Sequence, residues 1–346
     1  MVEERLRAGG RPFRQDRLVV RTPDPELDAQ IARAAEALGA VAESHAWTAL
    51  AALAVGEFEA PRRLLRALGD RQDGAGRIVV ENEPGIGDGL DPTVLYLFLS
   101  ARHLLWTGDL AFACAHWERV RRACHAALEG GAAVPQTILG ELSAAAESAG
   151  DGALAEELRR RVPAARLARL RTPARASAEA SARQVLLSPG DRDPASPWGS
   201  VLEELGRKQT DPSVDPATAA ALLAASFVHG ILGVEPDAPR GRLVLRPAIP
   251  PSWSHLEVLR LQLGDAAVSL RYHRDDTVHR FHIEQESGAV PLRLIFEPAL
   301  PAPALAGARV DGQEASLDPR SVGRIVLVPV QIVLDHERVV ELQTGT

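Results

Sequence analysis

Four carboxylates lie close together in one glycine-rich stretch, VVENEPGIGDGLDPT. Carboxyl groups at such spacing can exchange protons in general acid–base catalysis, or they can bind polar groups of a ligand. An apolar segment follows Asp91 and Pro92, so the Asp91 side chain is also suited to cap a helix. In the alternative interpretation, the remaining acids are solvated loop carboxylates. The four are Glu81, Glu83, Asp88 and Asp91.

A second carboxylate would have to come from elsewhere in the chain. The candidates are Glu43, Glu141, Glu203 and Glu204. Glu141 lies near the start of a predicted helix, and Glu203 follows Trp198 in SPWGSVLEELG. Trp198 could line a cleft or anchor a loop, and each of these acids could equally be a surface charge. His45 and His229 lie in apolar helical surroundings and are interpreted as core histidines.

Helical patterns extend from about Asp24 to Gly233 and would position these side chains. In the first segment, apolar residues recur at intervals of three or four and predict one buried helix face. They are Leu27, Ile31, Ala34, Ala35 and Leu38. Later segments alternate between nearly all-apolar and amphipathic, which predicts an inner and an outer layer of helices. We expect eight or nine helices, among them one capped by Asp91 and stopped at Gly108.

After Gly233 the hydrophobic period changes to two, which predicts β-strands. Pro236 and Pro239 cannot continue a helix, so FVHGILGVEPDAPRGRLVLRPAIPPSW marks a domain junction. We predict an N-terminal extension at 1–22 and a helical domain at 23–235, with an irregular connection at 171–215. A C-terminal antiparallel β-sandwich is predicted at 241–346.

Composition excludes several classes of protein. The chain has 346 residues and a net charge of −7, which disfavours a nucleic-acid partner. No apolar run is long enough to span a membrane, and no secretory signal is visible, so we expect a cytoplasmic protein. Neither a metal-binding spacing nor a dinucleotide or P-loop fingerprint occurs, and therefore we predict no metal and no cofactor.

Two passages resemble one known family. HGILGVEPDAPRGRLVLRPAIPPSW and LEVLRLQLGDAAVSLRYHR resemble the C-terminal part of bacterial six-hairpin glycosidases. These are glycoside hydrolases of the glycogen-debranching, amylo-α-1,6-glucosidase and rhamnosidase type. The resemblance implies an (α/α)6 toroid, here with fewer helices, followed by an antiparallel β-sandwich. It also implies an oligosaccharide or glycoside as the ligand.

The toroid implied by the resemblance would place the glycine-rich loop at the border of a central funnel, where relatives have their active site. Glycoside hydrolysis commonly uses two carboxyl groups on opposite sides of the scissile bond. The resulting catalytic candidates are Glu83, Asp88 and Glu141. The substrate-binding candidates are Glu81, Asp91, Trp198 and Glu203.

Several family features are replaced in this chain. An expected Arg-Asp loop is replaced by Glu43, Ser44 and His45, and Leu139 and Gly140 stand where an aromatic pair is expected after Gln136. The chain contains only 5 Trp, 2 Tyr and 7 Phe, few for a sugar-binding cleft. We also expect three or four fewer helices than a complete toroid has.

Three functional hypotheses follow. The first is a carbohydrate-associated, glycosidase-like protein whose hydrolytic activity is reduced or lost. The second is an active glycoside hydrolase that acts on α-glucosidic or related linkages with two acidic residues. The third is a structural or assembly module that forms a homo-oligomer through an apolar flank.

Overall fold

The computed structural model describes residues 18–41, 46–80, 91–132, 134–162, 177–187, 196–209, 215–301 and 305–345. Within these ranges, a helical part is followed by a part made of antiparallel sheets. The helices are α1 (Pro25–Val41), α2 (Ala46–Ala54), α3 (Glu59–Asp70), α4 (Pro92–Thr107), α5 (Leu110–Glu129), α6 (Gln136–Ser148), α7 (Gly152–Arg161), α8 (Ala178–Leu187), α9 (Trp198–Lys208) and α10 (Pro216–Ala225). Ten described helices exceed the predicted eight or nine; two of them, α8 and α9, fall within the segment that was predicted to be irregular.

Five helices pack side by side in the order α6, α4, α2, α10 and α8. Each of the other helices packs against one or two members of this series: α1 against α2 and α10, α3 against α2 and α4, α5 against α4, α7 against α6, and α9 against α8 and α10. The two sets alternate along the sequence, as the alternating hydrophobic patterns predict. Closure of the series into a toroid stays a prediction.

Helix α4 has the termini that its sequence predicts. The Asp91 carboxylate accepts hydrogen bonds from the backbone N–H groups of Thr93 at 2.7 Å and Val94 at 3.4 Å. Gly108 ends the helix at φ 64°, and its N–H donates to the Leu104 carbonyl. A left-handed residue at this place favours glycine, which lacks a Cβ. The Asp91 cap and the Gly108 stop are therefore confirmed.

The last helix changes geometry before the chain enters the sheets. After α10, residues Ser226–Ile231 form one π-helical turn, all of it buried. Gly233 then takes φ 59° and β2 begins at Glu235, close to the predicted junction. Short π-helical segments of this kind are rare and cost regular hydrogen bonding, so local packing must stabilise the turn.

The strands within the described ranges form three sheets. The strands are β1 (Val19–Arg21), β2 (Glu235–Asp237), β3 (Arg242–Leu245), β4 (His255–Leu263), β5 (Ala266–Asp275), β6 (Val278–Ser287), β7 (Leu292–Phe296), β8 (Ala299–Pro301), β9 (Leu305–Val310), β10 (Gln313–Glu314), β11 (Arg320–Val322), β12 (Ile325–Leu327), β13 (Val330–Leu334) and β14 (Arg338–Thr344). The largest sheet has the order β1-β4-β5-β6-β14-β9-β10, and the others are β13-β7-β3-β2 and β11-β12-β8. All described pairs are antiparallel except β3 with β7, which is parallel.

The helical and β parts share one continuous hydrophobic core. Strand β1, which precedes the first helix, pairs with β4 at the edge of the largest sheet. The β part also contacts the helical part at the turn between β4 and β5, where the Gly264 N–H donates a hydrogen bond to the Trp106 carbonyl at the end of α4. The sheets are thus attached directly to an inner helix, and the N-terminal strand belongs to the β part although it lies in the predicted extension.

Candidate functional site

Only part of the predicted site can be placed. Glu81, Glu83 and Asp88 lie outside the described residues. Their proposed roles, two catalytic and one substrate-binding, stay predictions. The remaining candidates are Asp91, Glu141, Trp198 and Glu203.

Asp91 has a structural task at the start of α4. Its Oδ1 atom accepts two backbone hydrogen bonds there. The neighbouring Thr93 hydroxyl accepts a hydrogen bond from the Ile78 N–H at 3.1 Å, which ties the preceding segment to this helix end. Asp91 therefore orients the first turn of α4, and a role in substrate binding would come in addition to capping.

Glu141 forms an ion pair with an arginine of the neighbouring inner helix. Arg102 of α4 donates from Nε to Glu141 Oε2 of α6 at 2.6 Å. The Arg102 side chain is 2% exposed, whereas that of Glu141 is 21% exposed. A charge-assisted bond of this length is strong, and the low local dielectric strengthens it.

The guanidinium group of Arg102 is held in a defined position. Its Cζ atom lies 4.6 Å from the centre of the Phe98 ring, one turn earlier on the same helix. Long helical side chains lean toward the helix N-terminus, which agrees with this contact. Both Nη atoms are buried and have no hydrogen-bond partner among the described residues. These two Nη atoms therefore carry up to four N–H donors that a polar ligand or water could satisfy.

Arg102 was missed as a candidate from the sequence. The signal was visible: one arginine interrupts LYLFLSARHLLWT, an otherwise apolar helix. A charge inside such a segment must be paired or must serve a site, because an isolated buried charge is costly.

Trp198 and Glu203 belong to α9, which packs against α8, α10 and the π-helical turn. Trp198 is 4% exposed and lies so close to Gly230 that a Cβ atom at Gly230 would come within 2.5 Å of the indole. Glu203 is exposed. Glu141, by contrast, lies on α6, whose main neighbours are α4 and α7. Trp198 thus lies in the core. Glu203 lies on α9, which is not one of the main packing neighbours of α6.

Among the described residues of the helical part, two histidines are buried, His103 and His229. His229 is fully buried and its Nδ1 lies 3.0 Å from the Val234 carbonyl oxygen, which agrees with its interpretation as a core residue. His45 lies outside the described residues. Burial, together with the Arg62 charge, lowers the pKa of His103 to about 3, so this imidazole is neutral in the folded protein.

Other site classes find no support in the described ranges. There, no group of three or more His, Cys, Asp or Glu side chains is arranged to hold a metal ion. Among the described helices, none combines the length and the apolarity that crossing a bilayer requires.

Comparison with solved structures shows which fold this chain resembles. No family model and no curated protein sequence matches the chain. Among solved structures, the chain is similar to the crystal structure of a GH78 family rhamnosidase of Bacillus sp. GL1, with a TM-score of 0.52 and 14% sequence identity. The match covers 79% of this chain and 42% of the rhamnosidase chain. The chain thus has a glycosidase-like fold with a helical and a β part, and it spans less than half of that enzyme's length.

Proposed function

We propose that this chain is a carbohydrate-binding, glycosidase-like protein whose hydrolytic activity is reduced or lost. In this proposal the inner helices α2, α4, α6, α8 and α10 form a reduced toroid, and the sheets form a closing β-sandwich. The fold shared with a GH78 rhamnosidase supports carbohydrate as the ligand class. Because the sequence identity is low, this support concerns the scaffold and not the reaction.

The Arg102–Glu141 ion pair is the main observation in favour of a reduced reaction. A glycosidase needs one carboxyl group that donates a proton and a second that acts as a base or nucleophile. Of the predicted site acids that the structure describes, Glu141 is bound to a buried guanidinium, Asp91 caps α4 and Glu203 is exposed on α9. Each of these positions is explained without catalysis.

The same pair is suited to binding. Sugar hydroxyls both donate and accept hydrogen bonds, so they complement a carboxylate beside unsatisfied guanidinium donors. Glu141 is the more exposed partner and would contact the ligand directly. Arg102 would hold the carboxylate in place from its buried position.

A glycan array followed by calorimetry tests the proposal. We expect binding to at least one class of neutral oligosaccharide, weakened in Glu141→Gln and unchanged in Glu147→Gln, an exposed control on the same helix. Circular dichroism verifies that both variants are folded. Absence of binding to every sugar on the array contradicts the proposal.

The active-hydrolase alternative predicts a different outcome. In that case, aryl glycosides would be turned over and a carboxylate substitution would abolish the turnover. The assembly alternative predicts self-association, which light scattering at increasing protein concentration would detect.

A further inference from the structure

A second candidate site lies on the largest sheet, on elements other than α4 and α6. Side chains from β1, β4, β5 and β6 line an open depression of about 360 Å³, here called the imidazole basin. Its lining residues are Arg21, His255, Glu257, Arg271, Tyr272, His273 and His282. The volume lies within the range of small-molecule sites, and the lining contains three imidazoles, two guanidinium groups and a single carboxylate.

The strand register explains why these side chains converge. His255 of β4 lies directly opposite His273 of β5, and Arg271 of β5 lies opposite both Glu257 of β4 and His282 of β6. Residues two apart on a strand share a face, so all five project from the same side of the sheet. Directly opposed side chains are about 5 Å apart at Cβ, which brings the five within reach of one small ligand.

The basic groups of the basin are only partly neutralised by protein carboxylates. Arg21 donates to Glu257 at 2.9 Å, and His282 lies 3.0 Å from a Glu337 oxygen. Arg271 is 3.9 Å from Glu257 and 4.0 Å from Glu284, which is too far for a hydrogen bond. The Arg271 and His273 side chains form no hydrogen bond with another residue of the described ranges.

We propose that the imidazole basin binds an oxyanion, namely the phosphate, sulfate or carboxylate group of a small ligand. The Arg271 guanidinium presents a planar fork that matches two oxygens of such a group. His255 and His273, the adjacent cross-strand pair on the same face, would also donate hydrogen bonds to the anion. Like charges that face each other across strands destabilise a sheet, so a bound anion would compensate the pair when both imidazoles are protonated.

Charge governs this binding. The chain as a whole carries −7, so the local arrangement, and not the net charge, attracts the anion. The other charged groups on this face of β1, β4, β5, β6 and β14 and in the turn before β14 are Arg21, Glu257, Asp275, Arg280, Glu284, Glu337 and Glu341. The carboxylates among them limit the affinity.

Titration of histidine-labelled protein with sodium sulfate, observed by NMR, tests the proposal. We expect saturable shifts of the His255 and His273 signals, identified by single His→Asn variants. Sodium chloride at equal ionic strength serves as the control titration.

Two arginine variants separate the basin from the general field of the sheet. Arg271→Gln should weaken sulfate binding at least about tenfold, because the bidentate donor is lost. Arg309→Gln removes an exposed arginine from the same face outside the basin and should leave binding unchanged. Non-saturable shifts, or equal affinities for Arg271→Gln and the wild type, overturn the proposal.

Competition experiments identify the source of the oxyanion. Displacement of sulfate by glucose 1-phosphate alone supports a phosphate ester, whereas displacement by glucuronate as well supports any small oxyanion. Equal displacement by uncharged glucose contradicts an anion site. These outcomes are independent of sugar binding at Glu141, because that site lies on other elements.

Discussion

Arg102 places a permanent charge inside a helix that is otherwise apolar and buried. Such a charge is tolerated only when a partner and hydrogen bonds compensate its loss of hydration. Glu141 supplies that partner from a helix 39 residues further along the chain. The pair therefore fixes the relation of α4 to α6 and, in our proposal, the position of the carboxylate that contacts the ligand.

Replacement of Glu141 by glutamine should destabilise the protein. The neutral amide leaves the buried Arg102 charge without its counterion, and we expect a loss of about 3 kcal/mol in the free energy of unfolding. Glu147→Gln on the same helix removes two exposed pairs, with Arg159 and Arg240, and should cost less than about 1 kcal/mol. Urea unfolding measures the free energy of unfolding of both variants. Equal losses would show that Glu141 does not compensate the buried Arg102 charge.

His103 predicts a dependence of stability on pH. Because burial lowers its folded pKa to about 3, the unfolded chain alone binds the proton between about pH 6.5 and 3. Stability contributed by this group is complete above pH 6.5 and falls as the pH drops toward 3, by about 1.4 kcal/mol per pH unit.

Urea unfolding at pH 6.5 and 5.5 checks this dependence. His279 shifts in the same direction, with a pKa lowered to about 4 by burial, so the wild type carries two such groups. His103→Gln should reduce the loss between the two pH values by about 1 kcal/mol, because the unfolded-state imidazole is already half protonated at pH 6.5. An unchanged slope in that variant would contradict a neutral, buried His103.

At the scale of elements, helix α4 shows how closely a local sequence can determine structure. Asp91, Pro92 and Gly108 specify both ends of α4, and the structure has those ends. The pairing of α4 with α6 through Arg102 and Glu141 could not be predicted in this way. That contact depends on the rotation of two separate helices, which the hydrophobic pattern leaves open, since α4 is buried nearly all round.

The capping role of Asp91 can be separated from a role in chemistry. Asp91→Ala should lower the free energy of unfolding by about 1 kcal/mol, because two N–H groups lose their acceptor. Asp91→Asn should retain nearly all of the stability, since asparagine caps about as well as aspartate. Thermal unfolding of the two variants distinguishes them, and equal destabilisation would argue against the cap.

At the scale of the molecule, the sequence predicts the order of the two parts but not how they join. The change of hydrophobic period near Gly233 marks the junction, because proline and glycine end the helix there. The pairing of β1 with β4 joins residues more than 230 positions apart, as in the Arg21–Glu257 contact. No local pattern specifies such a register, and a strand of three residues gives little periodicity to detect.

The basin on the largest sheet was missed for a related reason. Its histidines and arginines are spread over the four strands β1, β4, β5 and β6, and only the pairing register brings them to one place. In the sequence they look like the polar half of ordinary alternating strands.

Hydrolysis measured directly tests the central claim that a glycosidase-like scaffold here binds sugar with little or no cleavage. The substrates are aryl α-glucosides, aryl α-rhamnosides and malto-oligosaccharides, with Glu83→Gln, Asp88→Asn and Glu141→Gln as companion variants. We predict product release by the wild type at the rate of buffer alone, with the three variants indistinguishable from it. Turnover by the wild type that any of these substitutions abolishes would contradict the claim.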